Sequence, residues 1–167
     1  MDMHPYQPVT LDDFDSAPIR FSNTIELDVS ADQLFDVFED ENSWPQWVTG
    51  MDSAPWTSDG ERAAGSTRTV SMGNGRFLAD ELFFVWERPH AMAFHFESAS
   101  SGVMASFAER YQVTPVDDER CTLTWTVIQV PQGIGKVTLP LMKPVINLIL
   151  KKVLTQLQAY AEDRFLG

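Results

Sequence analysis

A long apolar stripe near the C-terminus constrains this chain more than any other feature. Met142, Ile146, Ile149, Leu150, Val153, Leu157, Tyr160 and Ala161 recur at three- and four-residue spacing, which places them on one helical face. A helix of roughly 20 residues spans about 30 Å, longer than a small core needs. The strands that precede it have an apolar face of their own, and both faces need a cover. A sheet curling around one long helix satisfies both and leaves a hollow between them. The expectation is a container.

Size allows one domain with a substantial core: the chain has 167 residues. Its 24 acidic residues against 12 basic ones give a net charge of −12. That balance repels nucleic acid and anionic surfaces at long range and argues against nucleic-acid binding. Lys136, Lys143, Lys151 and Lys152 depart from it, in a stretch with no Asp or Glu. They read either as a solvated helix face whose late lysines suit the helix dipole, or as a docking patch for an acidic partner.

A single cysteine, Cys121, excludes an internal disulfide and fits a reducing compartment. Residues 1–18 contain prolines and acids without an apolar run, so they read as a flexible or loosely docked extension, not a signal peptide. The apolar stretch Val137 to Leu150 is interrupted by Pro140, Lys143, Pro144 and Asn147, too often for a membrane span. The expectation is a cytoplasmic protein without an integral membrane segment, with monomer and homodimer both open.

Along the chain, Ile19, Phe21, Ile25, Leu27 and Val29 alternate with polar residues as a half-buried strand, with Asn23 breaking its apolar face. Ser30 and Gln33 fit a capping box, and Leu34, Phe35 and Phe38 give a short helix. Trp44-Pro45-Gln46-Trp47 reads as a second short helix or a turn. Met51 to Ser58 reads as a strand weakened by Pro55, and Ser66 to Met72 as a better one. The turn Gly73-Asn74-Gly75 leads to Arg76–Glu87, a strand apolar on both faces. Ala91–Glu97, Val103–Thr114 and a strand with Cys121, Leu123, Trp125 and Val127 inside complete an antiparallel meander. A loop over 131–135 precedes the long helix.

The order strand, two short helices, six strands and a long helix resembles the helix-grip fold of the START/Bet v 1-like superfamily, which includes polyketide cyclase/dehydrase-type proteins. The helix entry Ser30-Ala31-Asp32-Gln33-Leu34-Phe35 before Trp44-Pro45-Gln46-Trp47 resembles the family's short-helix segment. Glu87-Arg88-Pro89 resembles its central hairpin, and Leu154, Leu157, Tyr160, Ala161 and Glu162 the end of its final helix. The likeness covers residues 19–165. It implies an α+β domain over 19–167, a seven-stranded antiparallel sheet curved around the C-terminal helix. It also implies binding or transport of a hydrophobic small molecule, or cyclase/dehydratase chemistry. It carries over no catalytic signature.

The residues themselves offer a few polar interruptions of apolar faces. Arg68 shares a face with Val70 and Met72; Glu109 falls among Val103, Ala105, Phe107, Tyr111 and Val113; Asn23 and Gln129 interrupt the first and last strands. Asp80 and Glu81 are adjacent, so one of them points inward unless a bulge intervenes. Charges in a dry core are costly. These residues therefore mark water or ligand inside the sheet, unless they lie at a wet rim or Arg68 pairs with Glu109. Trp47, Phe94, Phe96, Phe107, Tyr111 and Trp125, with Ile146, Leu150 and Leu157 from the helix, could line a cavity or fill a core.

Glu109, with Glu81 or Asp80, is the candidate general acid or base, and Arg68 the candidate orienting cation. His4, His90 and His95 lack ligand spacing, with His95 expected to face outward, and no metal or cofactor is expected. Cys121, on an apolar face, reads as an inert core residue. Three functions stay open: a carrier of a hydrophobic molecule, an enzyme served by an acidic carrier protein, and an interaction protein with a filled core.

Overall fold

Side-chain alternation in the middle of the chain produces strands, and short turns force them to run antiparallel. In the computed structural model, which describes residues 1–167, β1 (His4–Pro5) and α1 (Asp13–Ser16) precede β2 (Ile19–Leu27). Two short helices follow, α2 (Ala31–Glu39) and α3 (Trp44–Trp47). Then come β3 (Met51–Ser53), β4 (Thr67–Met72), β5 (Phe77–Glu87), β6 (Ala91–Ala99), β7 (Met104–Pro115), β8 (Cys121–Pro131) and α4 (Gly135–Leu166). The sheet order is β2-β8-β7-β6-β5-β4-β3, with β1 paired to β6. This is the α+β helix-grip arrangement: α4 packs on β2 and β8 and against α2 and α3.

Local chemistry fixes the entry to α2. The Ser30 hydroxyl accepts from the Gln33 N–H, and the Gln33 side chain accepts from the Ser30 N–H, closing the capping box. The weak third strand is only Met51–Ser53; its register with β4 slips between those residues, and contact with β4 resumes past Pro55 as a bridge between Trp56 and Arg68. Strand β5 is apolar on both sides for a structural reason. Its pairing with β6 shifts register between Phe83 and Val85, so Phe83 and Trp86 both pack in the main core while Phe84 and Val85 pack on the outer face.

α4 is longer than the expected 20 residues. It runs 32 residues with Pro140 and Pro144 inside it, about 48 Å. Both prolines lie in its exposed first half, where the carbonyls they leave unpaired can reach water. Its start abuts Val103: a Cβ on Gly135 would collide with the Val103 carbonyl oxygen. Only glycine permits that approach.

The extension over residues 1–18 is not loose. Near its far end β6 parts from β7, whose pairing with it covers only Ala91 to His95. The N-terminal segment fills that gap: His4 pairs with Ala99 and Pro5 with Ser98, and the Gln7 N–H donates to the Ala105 carbonyl. Tyr6 is buried against Phe96 inside the sheet. Val9 and Phe14 pack on the opposite face with Ala93, Ala108 and Ile128. The segment thus passes between the strands and caps both sides.

Candidate functional site

Between the sheet and α4 lies a cavity of about 280 Å³, at the small end of ligand sites. Its lining comes from β4 to β8, α3 and the middle of α4, and 16 of its 21 residues are hydrophobic. The only exposed lining residues, Thr49 and Ile149, mark its mouth between the α3–β3 loop and α4. The Thr49 hydroxyl donates to Gln156 of α4 at 2.7 Å and ties that rim together.

Alternation on β4 turns Arg68, Val70 and Met72 toward this cavity. Arg68 pairs in register with Glu81 on β5. Its Nε donates to Glu81 Oε2 at 2.7 Å, and its Nη2 lies 2.7 Å from the same oxygen. The two are 1% and 3% exposed. The partner of Arg68 is thus Glu81, directly opposite across the strands, and not Glu109, the pairing left open as one alternative. The guanidinium carbon sits 4.0 Å from the Trp44 ring centroid, with Phe83 and Phe94 at 5.2 and 5.3 Å. Nη1 has no hydrogen-bond partner; the aromatic faces hold its charge instead. Burial pushes the Glu81 carboxyl up against the downward pull of Arg68.

Glu109 reaches the cavity from β7. It accepts from the Tyr111 hydroxyl at 3.0 Å and from the Trp125 indole N–H at 2.7 Å, both at Oε1. Oε2 makes no hydrogen bond within the protein. Burial, and then the neighbouring Glu81 charge, pushes this carboxyl from 4.5 up to about 7, while Tyr111, Trp125 and Arg68 pull it down. Burial also raises the Tyr111 hydroxyl far above its usual range. A half-protonated carboxyl with a free oxygen thus faces an apolar hollow.

Of the expected site residues, Arg68, Phe96, Phe107, Glu109, Tyr111, Trp125, Ile146 and Leu150 line the cavity, as do Glu81 and Gln129. Four do not. Asn23 donates to Asn147 of α4 at 3.1 Å and acts as a strap. Trp47 packs behind Trp44, the ring centroids 4.7 Å apart and the planes tilted by 39°. Phe94 lies beneath Arg68, and Leu157 fills the solid end of the core. Asp80 points to the other face, where Thr69 and Ser98 donate to it at 2.8 Å each. It is no partner for Glu109.

On β7 the pairing with β8 shifts register between Met104 and Ser106, so Met104 lines the cavity in place of Val103 and Ala105. The alternation missed Trp44, whose face carries Arg68, because the tryptophan belongs to a helical turn and not a strand. Cys121 is fully buried, and burial pushes its thiol up to about 11. No three His, Cys, Asp or Glu side chains group as metal ligands would. His95 lies on the outer face as expected, yet it is buried against Phe84.

Known proteins resemble this chain in sequence and fold. Residues 18–162 match the family described as polyketide cyclase/dehydrase and lipid transport. An uncharacterized protein of Mycobacterium bovis is 37% identical over 98% of this chain and 96% of its own length. The structure of a START superfamily protein from Mycobacterium smegmatis superposes with a TM-score of 0.72 at 14% identity, over 86% of this chain and 97% of that one. The Zhui aromatase/cyclase of Streptomyces sp. R1128 gives 0.68 at 14% identity, over 87% of this chain and 94% of that one. The fold, the order of its elements and the family match agree: the chain has the fold of these structures and belongs to the polyketide cyclase/dehydrase and lipid-transport family.

Proposed function

We propose that this protein binds an uncharged, largely apolar molecule bearing a hydroxyl or carbonyl group in the cavity beneath α4. The observation that carries this reading is the composition of the lining: apolar walls with Glu109 Oε2 free among them. Arg68 and Glu81 cancel one another, and Glu109 is neutral or negative near pH 7. The cluster therefore carries no net positive charge, and a carboxylate ligand would meet two acidic side chains without a free cation. A hydroxyl can donate to Glu109, and a carbonyl can accept from its protonated form.

Native mass spectrometry of gently purified protein, with a thermal-shift panel of neutral and anionic apolar compounds, tests the proposal. It predicts retained neutral cargo or melting shifts with neutral alcohols and ketones, and weaker shifts with the matching carboxylates. No retained cargo and no shift with any neutral compound would refute it.

The position of Glu109 supports a second reading, cyclase/dehydratase chemistry. A carboxyl near pH 7 with a free oxygen is suited to general acid–base catalysis. In that case an acidic carrier protein could deliver substrate to the lysines of α4. Glu109→Gln would then abolish turnover of a β-keto substrate while leaving its binding intact, and full turnover in that variant would end the catalytic reading.

A further inference from the structure

The first half of α4 carries a second apolar stripe that the core does not use. Ile146, Leu150, Val153 and Leu157 face inward. Ile134 at the N-cap, then Val137, Leu141, Val145 and Leu148, recur at the same three- and four-residue spacing on the opposite side, and all are exposed. Leu141 is 75% and Leu148 67% exposed. Isolated apolar side chains are ordinary on a surface, but five aligned on one ridge mark a partner. The stripe stops at Leu148; the positions continuing it are Lys152, Thr155 and Ala159.

Charge identifies the partner. Lys152 continues the stripe and Lys151 precedes it, both exposed, while Lys136 and Lys143 are exposed on the side of the helix toward Pro18 and Ile19. No Asp or Glu occurs between Glu119 and Glu162, although the whole chain carries −12. Every ion pair of the protein uses arginine, so these lysines are unpaired. A second copy docked on the same stripe would bring Lys151 and Lys152 of both copies into one interface with no carboxylate on either stripe to answer them. The stripe residues also line no pocket, so the surface is a ridge without sockets for a protein partner's side chains. A ridge needs only a soft apolar phase beneath anionic groups.

We propose that this face seats the protein on an anionic lipid bilayer, the stripe sunk at the boundary of headgroups and acyl chains and Lys151 and Lys152 among the headgroups. No helix is long and apolar enough to cross a membrane, so the helix lies on the surface. Ile149, beside Leu148, is both exposed and part of the cavity lining. Docking therefore brings the cavity mouth to the bilayer, where an apolar cargo dissolves. That exchange step rests on the cavity reading; the docking does not.

Flotation with phosphatidylcholine vesicles, with and without phosphatidylglycerol, tests the docking. The full chain is expected to float with the anionic vesicles, less so with neutral ones or in high salt. Lys151→Gln and Lys152→Gln should each weaken binding roughly fivefold, and L141D/L148D should abolish it. Because neither leucine lines the cavity, the double variant should keep the wild-type melting temperature and its affinity for the neutral fluorophore N-phenyl-1-naphthylamine. Lost fluorophore binding by the wild type with intact flotation would sink the cavity reading alone.

Absence of flotation with anionic vesicles, or equal flotation of the double variant, would overturn the docking. So would light scattering that shows a dimer split by L141D/L148D, which assigns the stripe to a second copy. Failed flotation with lysine-dependent capture of a purified acyl carrier protein would instead assign it to an acidic protein.

Discussion

Arg68 and Glu81 face each other across β4 and β5 with almost no water to share the cost of their charges. Removing one partner is the expensive change, since the other is left buried and uncompensated. Arg68→Met is expected to cost about 3–5 kcal/mol, and Arg68→Met with Glu81→Gln much less. Chemical denaturation of the two variants checks this; equal losses would show that the pair is not the source. Glu109 acts through pH. Its folded-state carboxyl, at about 7, lies above its ordinary 4.5, so the fold prefers the protonated form. Stability from this group is then fully present below pH 4.5 and falls as pH rises through 7, by an amount on the order of 2–3 kcal/mol. Glu109→Gln should match wild type at pH 5 and exceed it at pH 8, in melting temperatures taken at both. The same loss of stability in both proteins would contradict the raised value.

At the scale of elements, the N-terminal segment and α4 are held by contacts that a strand pattern does not announce. Phe14 is fully buried, Phe84 stacks on it at 6.5 Å, and Arg110 lies 4.8 Å over its ring. Phe14→Ala should cost about 3–5 kcal/mol; a loss under about 1 kcal/mol would mean that the segment is dispensable. Gly135→Ala forces α4 away from the Val103 carbonyl. It should lower the melting temperature although alanine favours helix, whereas a rise would show that the helix entry yields freely. Sequence reading found α2 and the long meander because caps and alternation are local signals. It missed the docking of residues 1–18, since Tyr6, Val9 and Phe14 meet their partners only after β6 and β7 part. It also missed the outward stripe of α4: with apolar residues on both sides, the pattern that located the inward face hid its opposite.

For the whole molecule, the hollow follows from mismatch. The long helix rests on β2 and β8 at one side of a wide curved sheet, and the aromatic residues of α3, β5 and β6 fill one end while the middle stays open. Alternation showed which face of most strands turns inward, and so found Arg68 and Glu109, but on β5, apolar on both faces, it left Glu81 and Asp80 undecided. It could not show which inward residues meet the hollow and which meet solid core; Phe94 and Trp47 fall on the solid side. The partner of Arg68 was likewise a matter of register between strands, which no single strand encodes.

The most direct test of the hollow is to fill it. Titration with N-phenyl-1-naphthylamine should show saturable fluorescence gain in the wild type, with quenching of Trp44 and Trp125, which line the cavity. Val70→Phe, which adds bulk to that lining, should weaken the probe tenfold or more, at a stability cost of about 1–3 kcal/mol. Unchanged affinity in a folded Val70→Phe variant would contradict the account, because the probe would then bind somewhere other than beneath α4.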